Sequence, residues 1–391
     1  METTVNTTEL VEYITDSLYA RTTNDNLTLT QTMMPDMNGN TTDVPPTNTS
    51  FPDPPTFPMS YQVITTVLVL VICSIGIVGN IMVVLVVTRI KSMRSPTNCY
   101  LVSLAVADLI VLVTAGIPNI PDSFYYESAW MYGHSGCLII TYLQYLGINT
   151  SSMSILAFTV ERYIAICHPL YAQTMCTVSR AKKIIAGVWV LTLAYDSMWF
   201  FLMGTETIVY GNGAEVLQCG YNLERSRYLT VYFLDLSLFY LLPLIVAAVL
   251  YVRIGRVLYS EDIAEAGNIE IANKGQTHVK HMQARRINSR KQVVKMLACV
   301  VVLFAVLWMP YRVLVVCNSF IDPPNYDKWV VLFCRLPIYI NSACNPVLYN
   351  AMSVKFRRAF SKLAKCTSKR DDLNSMNFQS SIRAVTRSNR V

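Results

Sequence analysis

Residues 62–88 read QVITTVLVLVICSIGIVGNIMVVLVVT, and this run decides the class of fold. Between Asp53 and Arg89 the chain contains no Asp, Glu, Lys or Arg. The hydrocarbon core of a bilayer is about 30 Å thick, and a helix needs roughly 20 mostly apolar residues to cross it. The run is therefore predicted to be a membrane-spanning helix.

Six comparable runs follow, at about residues 98–119, 134–166, 181–203, 228–252, 293–320 and 329–351. The composition agrees with this pattern, because 53% of the 391 residues are hydrophobic and only 15% are charged. A soluble surface needs more charge than that. The sequence predicts an all-α membrane protein with a bundle of seven transmembrane helices over residues 59–352.

Basic residues cluster in alternate connections between the runs. They lie after the first run, before the fourth and before the sixth, at Arg89, Lys91, Arg94, Arg180, Lys182, Lys183 and in residues 285–295. Cytoplasmic loops carry such an excess. The net charge of +7 therefore indicates topology and not nucleic-acid binding. We expect a plasma-membrane protein with its N-terminus outside and its C-terminus in the cytosol.

The segment 1–58 is rich in Thr, Asn and Pro and lacks an apolar run, so a disordered extracellular tail is expected. No signal-peptide pattern follows Met1, so the first span is expected to direct insertion. Glycosylation sequons in this tail occur at Asn6, Asn26, Asn40 and Asn48.

The segment after the seventh run, residues 353–366, has Phe356, Phe360 and Leu363 at helical spacing with basic residues between them. This pattern predicts a short amphipathic interfacial helix that contacts membrane lipid, followed by a palmitoylation candidate at Cys366. Residues 367–391 are expected to form a disordered cytoplasmic tail. Its Ser and Thr residues either serve as phosphorylation sites for an arrestin-type regulator or act as plain solubilising hydroxyls.

Asp108, Asp235, Arg312 and Arg335 are charged residues that the apolar runs place at depth in the membrane. A charge at mid-bilayer costs about 2.5–3.5 kcal/mol on insertion scales, so each indicates either function or a packing hydrogen bond. Pro310 and Pro346 are expected to kink the sixth and seventh helices.

One distinctive set of residues falls in each run, in chain order: Asn80, Asp108, Glu161-Arg162-Tyr163, Trp189, Pro243, Trp308 with Pro310, and Asn345-Pro346-Val347-Leu348-Tyr349. This joint pattern resembles the rhodopsin-like G-protein-coupled receptors over about residues 62–366. The resemblance implies a switch in which ligand binding outside moves the sixth helix and frees Arg162 to contact a heterotrimeric G protein. The residues of that switch would be Glu161, Arg162, Tyr163, Trp308, Pro310, Asn345, Pro346 and Tyr349.

The resemblance also implies two further sites. A sodium ion would bind at Asp108, with Ser151, Asn341 and Asn345 at the matching positions, and no other cofactor is expected. A disulfide would join Cys137 to Cys219, both of which are expected to face the oxidising exterior.

The ligand is expected to differ from a cationic amine, because Gln144 stands where amine receptors of the family carry Asp. Donors available for carbonyl oxygens are Tyr145 and Asn149 in the third run, Tyr311 and Arg312 in the sixth, and Arg335 in the seventh. A small, carbonyl-rich, neutral or acidic ligand fits them. The alternatives are interhelical packing for Tyr145 and Asn149, and for Arg335 a salt bridge to an extracellular acid or to Asp235.

Segments 98–107, 141–149, 307–312 and 332–335 resemble, within this family, receptors for a small peptide hormone. The resemblance implies that Tyr145 and Asn149 hold one blocked end of the peptide, that Tyr311 lies near the other end, and that Arg335 binds its terminal amide. It also implies coupling to phospholipase-C-linked G proteins. Asp196, an acid in the fourth run, departs from the pattern.

Three alternatives remain. A receptor for another short peptide would share the switch residues. A transporter or channel would also place charges in the membrane, yet the two halves of the chain show no repeat. An enzyme is not expected, because none of the four histidines lies at mid-membrane depth beside a nucleophile or metal ligand; they are His134, His168, His278 and His281.

Overall fold

A computed structural model describes the backbone of residues 53–210, 213–223, 225–271, 277–321 and 327–363, and the side chains of these except residues 225–226 and 261–290. The predicted glycosylation sites Asn6, Asn26, Asn40 and Asn48 lie outside the described residues. So do Cys366 and the C-terminal tail.

Seven long helices form a bundle, and their bounds are as follows: α1 Met59–Arg89, α2 Pro96–Val111, α3 Gly133–Cys167, α4 Val178–Asp196, α5 Arg225–Ile271, α6 Thr277–Phe320 and α7 Lys328–Met352. A π-helical turn extends α2 over Leu112–Gly116, and another interrupts α5 at Ser237–Leu241. Five of the seven contain the whole of a predicted run, and α2 and α4 contain most of theirs, so the predicted seven-helix architecture is confirmed.

Six of the helices within the described residues are long and apolar enough to cross a membrane, and α3 is the exception. This helix has 35 residues, ample for a span. Its hydropathy is lowered by a buried polar stretch, Asn149-Thr150-Ser151-Ser152 with Ser154. Because α3 packs against α2, α4 and α5, these groups find partners inside the bundle.

Local sequence explains several helix starts. Ser95 caps α2 by accepting a hydrogen bond from the Asn98 amide, and Pro96 follows at the first position, where its missing N–H costs nothing. Thr177 caps α4, and Asp327 caps α7. Each cap satisfies backbone donors that would otherwise lack partners at a helix start.

The outer face of α1 identifies the lipid-facing side. Val63, Val67 and Val78 are at least half exposed, while Val69 and Val83 are fully buried against other helices. Apolar residues therefore lie on both faces, as expected where the surrounding solvent is hydrocarbon. Asn80 is a buried polar residue of this helix, and its Nδ2 donates to the carbonyl of Ser342 on α7 at 2.9 Å.

A glycine permits the close approach of α3 to α2. A Cβ atom added to Gly147 would lie 2.8 Å from a methyl of Val111 and 3.0 Å from the backbone oxygen of Ala107. Backbone cannot yield as a side-chain tip can, and such overpacking costs about 1–3 kcal/mol.

Gly147→Ala is accordingly expected to lower the unfolding temperature of the purified protein and to reduce the amount that reaches the cell surface, because α2 and α3 must separate. The control is Gly187→Ala on α4, where an added Cβ meets nothing within 4 Å. Equal unfolding temperatures for the two variants would contradict the close approach.

The connection from α4 to α5 forms a β-hairpin that the sequence analysis did not predict. Strands β1, Met203–Val209, and β2, Glu215–Tyr221, pair antiparallel with Thr205 opposite Cys219. Asn212-Gly213, a strong hairpin-turn signal, was available in the sequence. The end of the bundle that carries this hairpin is called the hairpin end below.

Residues 354–363 form the amphipathic helix predicted after the seventh span, labelled α8. Phe356 is buried and its ring lies 5.6 Å from that of Tyr349 on α7. Lys355, Arg357 and Arg358 are exposed. The helix therefore docks to the bundle by its apolar side and leaves its basic side free.

Candidate ligand site and switch

A cavity of about 500 Å³ opens at the hairpin end between α2, α3, α6 and α7. That volume lies within the usual range for small-molecule sites. Five of the six predicted ligand-binding residues line it: Gln144, Tyr145, Tyr311, Arg312 and Arg335. The hairpin contributes Met203, Cys219 and Tyr221 to the wall.

The α3 side of the cavity is held rigidly. Tyr145 stacks on Trp199 with ring centroids 3.6 Å apart, and Gln144 donates from Nε2 to the Thr114 carbonyl in the π turn of α2 at 2.8 Å. The disulfide between Cys137 and Cys219 ties β2 to α3, with a Cα–Cα distance of 5.7 Å. The predicted disulfide pair is therefore confirmed.

The two arginines of the cavity differ in environment. Arg312 is buried and binds Oδ2 of Asp235 through Nη1 at 3.1 Å, with its guanidinium 5.6 Å from the ring centroid of Trp308. Arg335 is exposed and makes no ion pair or hydrogen bond within the described part of the chain. The alternative of an Arg335–Asp235 salt bridge is wrong, because Arg312 occupies that carboxylate. Arg335 is free to bind a ligand.

Asn149, the sixth predicted ligand residue, is fully buried and is not among the residues that line the cavity. Both hydrogens of its amide go to carboxylates, Asp196 at 2.7 Å and Asp235 at 2.8 Å. The structure therefore places it behind the cavity wall, next to the acid that holds Arg312. Asn149 was predicted to contact the ligand directly. In the structure its amide contacts two buried acids instead.

Several lining residues were missed by the sequence analysis. Phe57 and Tyr61 come from the start of the described chain, and Asp122 and Glu127 from the connection after α2. Oδ1 of Asp122 is buried with no partner among the described residues, whereas Glu127 binds Lys328 at 2.5 Å. Asp122 lies just after the second apolar run, so only its position at a helix end could have indicated a role.

The connection beside Asp122 also holds Tyr132, whose phenol donates to the Pro118 carbonyl at 3.1 Å. Burial, and next the carboxylate of Asp122, raise the pKa of Tyr132 to about 12. The phenol is therefore neutral at physiological pH and keeps its donor role.

Asp108 lies deeper in the bundle, fully buried, where it accepts a hydrogen bond from Nδ2 of Asn345 at 2.8 Å and a long one from Ser151 at 3.4 Å. Asn341, one helical turn before Asn345 on α7, is also buried. A carboxylate with hydroxyl and amide oxygens fits a hard monovalent cation. No group of three acidic, histidine or cysteine side chains suited to a multivalent metal occurs among the described residues. These four residues would hold a sodium ion, which would neutralise Asp108.

The opposite end of the bundle contains Glu161, Arg162 and Tyr163 of the predicted switch. Arg162 binds its neighbour Glu161 through two hydrogen bonds of 2.6 Å, and its guanidinium lies 5.9 Å from the ring of Phe158. In this structure Arg162 is therefore paired with Glu161 and not free. Trp308, at 2% exposure, lines the cavity itself, whereas Tyr349, at 1% exposure, lies beside Phe356 of α8.

Trp189 supplies a further link, donating to Ser103 on α2 at 3.0 Å. Polar contacts thus join α4 to α2 at Ser103, and α2 to α7 at Asp108. Changes in such packed contacts are one way to transmit a rearrangement at the cavity.

The fold and these motifs define a multi-pass membrane receptor. The family model of the 7 transmembrane receptor (rhodopsin family) matches residues 79–349, and the chain belongs to that family. Membership confirms a receptor and not an enzyme, as the sequence predicted.

Relatives narrow the class further. The chain is 57% identical to the thyrotropin-releasing hormone receptor of Gallus gallus over 322 residues, covering 80% of this chain and 81% of the relative. It is 56% identical to the receptor of that name from Homo sapiens, covering 80% of each. The growth hormone secretagogue receptor type 1 of Sus scrofa is 32% identical over 334 residues, 82% of this chain and 86% of the relative.

Proposed function

We propose that the chain is a plasma-membrane receptor for thyrotropin-releasing hormone, pyroglutamyl-histidyl-prolinamide. The N-terminus would be extracellular and the C-terminus cytoplasmic, so the cavity would open to the outside. The observation that carries the proposal is the free guanidinium of Arg335 in a cavity that also presents Tyr145 and Tyr311. The high identity to receptors of that name supports the same ligand.

The peptide suits this cavity chemically. It carries no carboxylate, and its lactam, backbone and terminal amide offer carbonyl oxygens to the phenols and the guanidinium. Arg335 would bind the prolinamide end, Tyr145 the pyroglutamyl lactam, and Tyr311 would lie near the far end. Arg312 and Gln144 would complete the floor, and Asn149 would act from behind it.

Signalling would follow from rearrangement of the packed contacts below the cavity. The kink at Pro310 would let α6 swing, the Glu161–Arg162 pair would open, and Arg162 would contact a G protein of the phospholipase-C-linked class. An arrestin-type regulator would then bind the C-terminal tail.

The test is intracellular calcium in cells that express the chain, recorded on addition of pyroglutamyl-histidyl-prolinamide. The parent is expected to respond. Arg162→Ala is expected to bind the radiolabelled peptide and give no calcium signal, since Arg162 lies at the other end of the bundle. No binding to the surface-expressed parent would overturn the hormone assignment and favour another short peptide.

Tyr145→Phe is expected to weaken peptide binding about 2- to 12-fold, the effect of losing one neutral hydrogen bond. The ring that stacks on Trp199 is kept, so folding is unaffected. The matched control is Tyr142→Phe, one turn away on α3, whose ring stacks on Phe200 at 4.5 Å and which does not line the cavity. Equal affinities for the two variants would exclude a contact between Tyr145 and the peptide.

A further inference from the structure

A buried acid that the switch does not use lies at the end of α4. Asp196 has no exposed surface. Its Oδ1 accepts a hydrogen bond from Nδ2 of Asn149 at 2.7 Å, while its Oδ2 is buried with no partner in the described part of the chain. One neutral amide is thus the hydrogen-bonding partner that the structure gives this carboxyl group.

The same amide reaches a second acid. Nδ2 of Asn149 also donates to Oδ1 of Asp235 at 2.8 Å, so its two hydrogens are shared between two fully buried carboxyl groups. The carbonyl oxygen of Asn149, Oδ1, is another buried atom without a partner among the described residues.

If Asp196 and Asp235 were both ionised, Arg312 could neutralise one of the two carboxylates and not the other. Arg312 binds Asp235 at 3.1 Å and neutralises it. Asp196 has no cation within ion-pair distance among the described residues. A carboxylate removed from water and left unpaired is strongly destabilised, and such a group takes up a proton instead.

We propose that Asp196 carries a proton and forms a reciprocal acid–amide pair with Asn149. The acid O–H donates to Oδ1 of Asn149, and the Asn149 amide donates to the acid carbonyl. Such a pair joins Oδ2 of Asp196 to Oδ1 of Asn149, the two atoms that otherwise lack partners. The titratable groups that face Asp196 are Tyr195 on its own helix, Tyr142 on α3 and Asp235 on α5.

This pairing makes Asp196 a positioning residue for the peptide site, an inference that rests on the proposed function. The acid fixes the rotation of the Asn149 amide. The second amide hydrogen is then aimed at Asp235, which holds Arg312 in the cavity floor. Asp196 would therefore act on the ligand through three intervening side chains.

The protonation state is tested without hormone. Infrared spectra of the purified receptor in lipid nanodiscs at neutral pH are compared between the parent and Asp196→Asn. The difference spectrum is expected to show loss of a protonated carboxyl C=O band. Loss of a carboxylate band instead would show that Asp196 is ionised and would overturn the proposal. This holds whether a bound cation or solvent compensates the charge of Asp196.

The positioning role is tested by peptide displacement. An amide can both donate and accept as the neutral acid does, so Asp196→Asn is expected to keep the affinity of the parent within about twofold. Asp196→Ala leaves the Asn149 carbonyl unpaired and is expected to weaken binding about tenfold. Equal weakening by both substitutions, with unchanged unfolding temperatures, would show that the acid is not replaceable by an amide and would exclude the proposed pair. If the parent does not bind the peptide, the hormone assignment is wrong. The infrared comparison would still test the protonation of Asp196.

Discussion

Arg312→Met is expected to lower the free energy of unfolding by about 3–5 kcal/mol, the effect of leaving a buried carboxylate without its cation. The side chains of Arg312 and Asp235 are only 6% and 0% exposed, and their nitrogen and oxygen lie 3.1 Å apart. Asp235→Leu is expected to lower the free energy of unfolding by a similar amount, because it leaves the guanidinium of Arg312 buried without its carboxylate. Surface expression and apparent unfolding temperature in detergent measure both effects.

The double variant Arg312→Met/Asp235→Leu is expected to recover much of the stability, since neither charge remains buried and unpaired. Lys328→Met serves as the exposed-pair control. Its bridge to Glu127 is 30% and 29% exposed and is worth about 0–1 kcal/mol. Should Lys328→Met and Arg312→Met lower the unfolding temperature equally, burial would not be the source of the effect.

Arg335→Ala is expected to weaken binding of radiolabelled pyroglutamyl-histidyl-prolinamide roughly 10- to 150-fold, the range for a lost hydrogen bond to a charged group. The unfolding temperature is expected to stay unchanged, because Arg335 is exposed and its removal orphans no buried partner among the described residues. Within one cavity, substitution of Arg312 is thus expected to lower stability, and substitution of Arg335 to weaken peptide binding.

The matched control is Arg358→Ala, which removes an exposed arginine from α8, away from the cavity. Affinity equal to that of the parent is expected there. Arg335→Lys is expected to fall between parent and alanine, because an ammonium keeps the charge but lacks the planar fork of donors. An Arg335→Ala receptor that binds with parental affinity would place the terminal amide elsewhere.

The candidate site could be predicted in part. Arg312 and Arg335 were identified because charges in an apolar run need a reason to be there, and Tyr145 and Tyr311 as donors for carbonyl oxygens. Gln144 was identified through the family resemblance. Asp122, Tyr61 and the hairpin residues could not be identified in that way. They lie at helix ends or in connections, where polar and aromatic residues are ordinary.

Local pattern also predicted the fold at the level of the spans and of the short helix that follows them. Apolar length defined each span, and Phe356 with Phe360 and Leu363 defined α8, because helical periodicity depends only on near neighbours. The π turns in α2 and α5 had no such signal. They depend on how neighbouring helices pack and not on local propensity.

By itself the sequence determined that this protein crosses a membrane seven times, which residues carry charge inside it, and which family its motifs belong to. Only the tertiary structure decided which of these polar and charged residues contact one another. Asp235 binds Arg312 and leaves Arg335 free, and Asn149 turns toward two acids and away from the cavity. The physical reason is that apolar length is a local property, whereas pairing between residues 77 or 86 positions apart depends on the rotation and approach of whole helices.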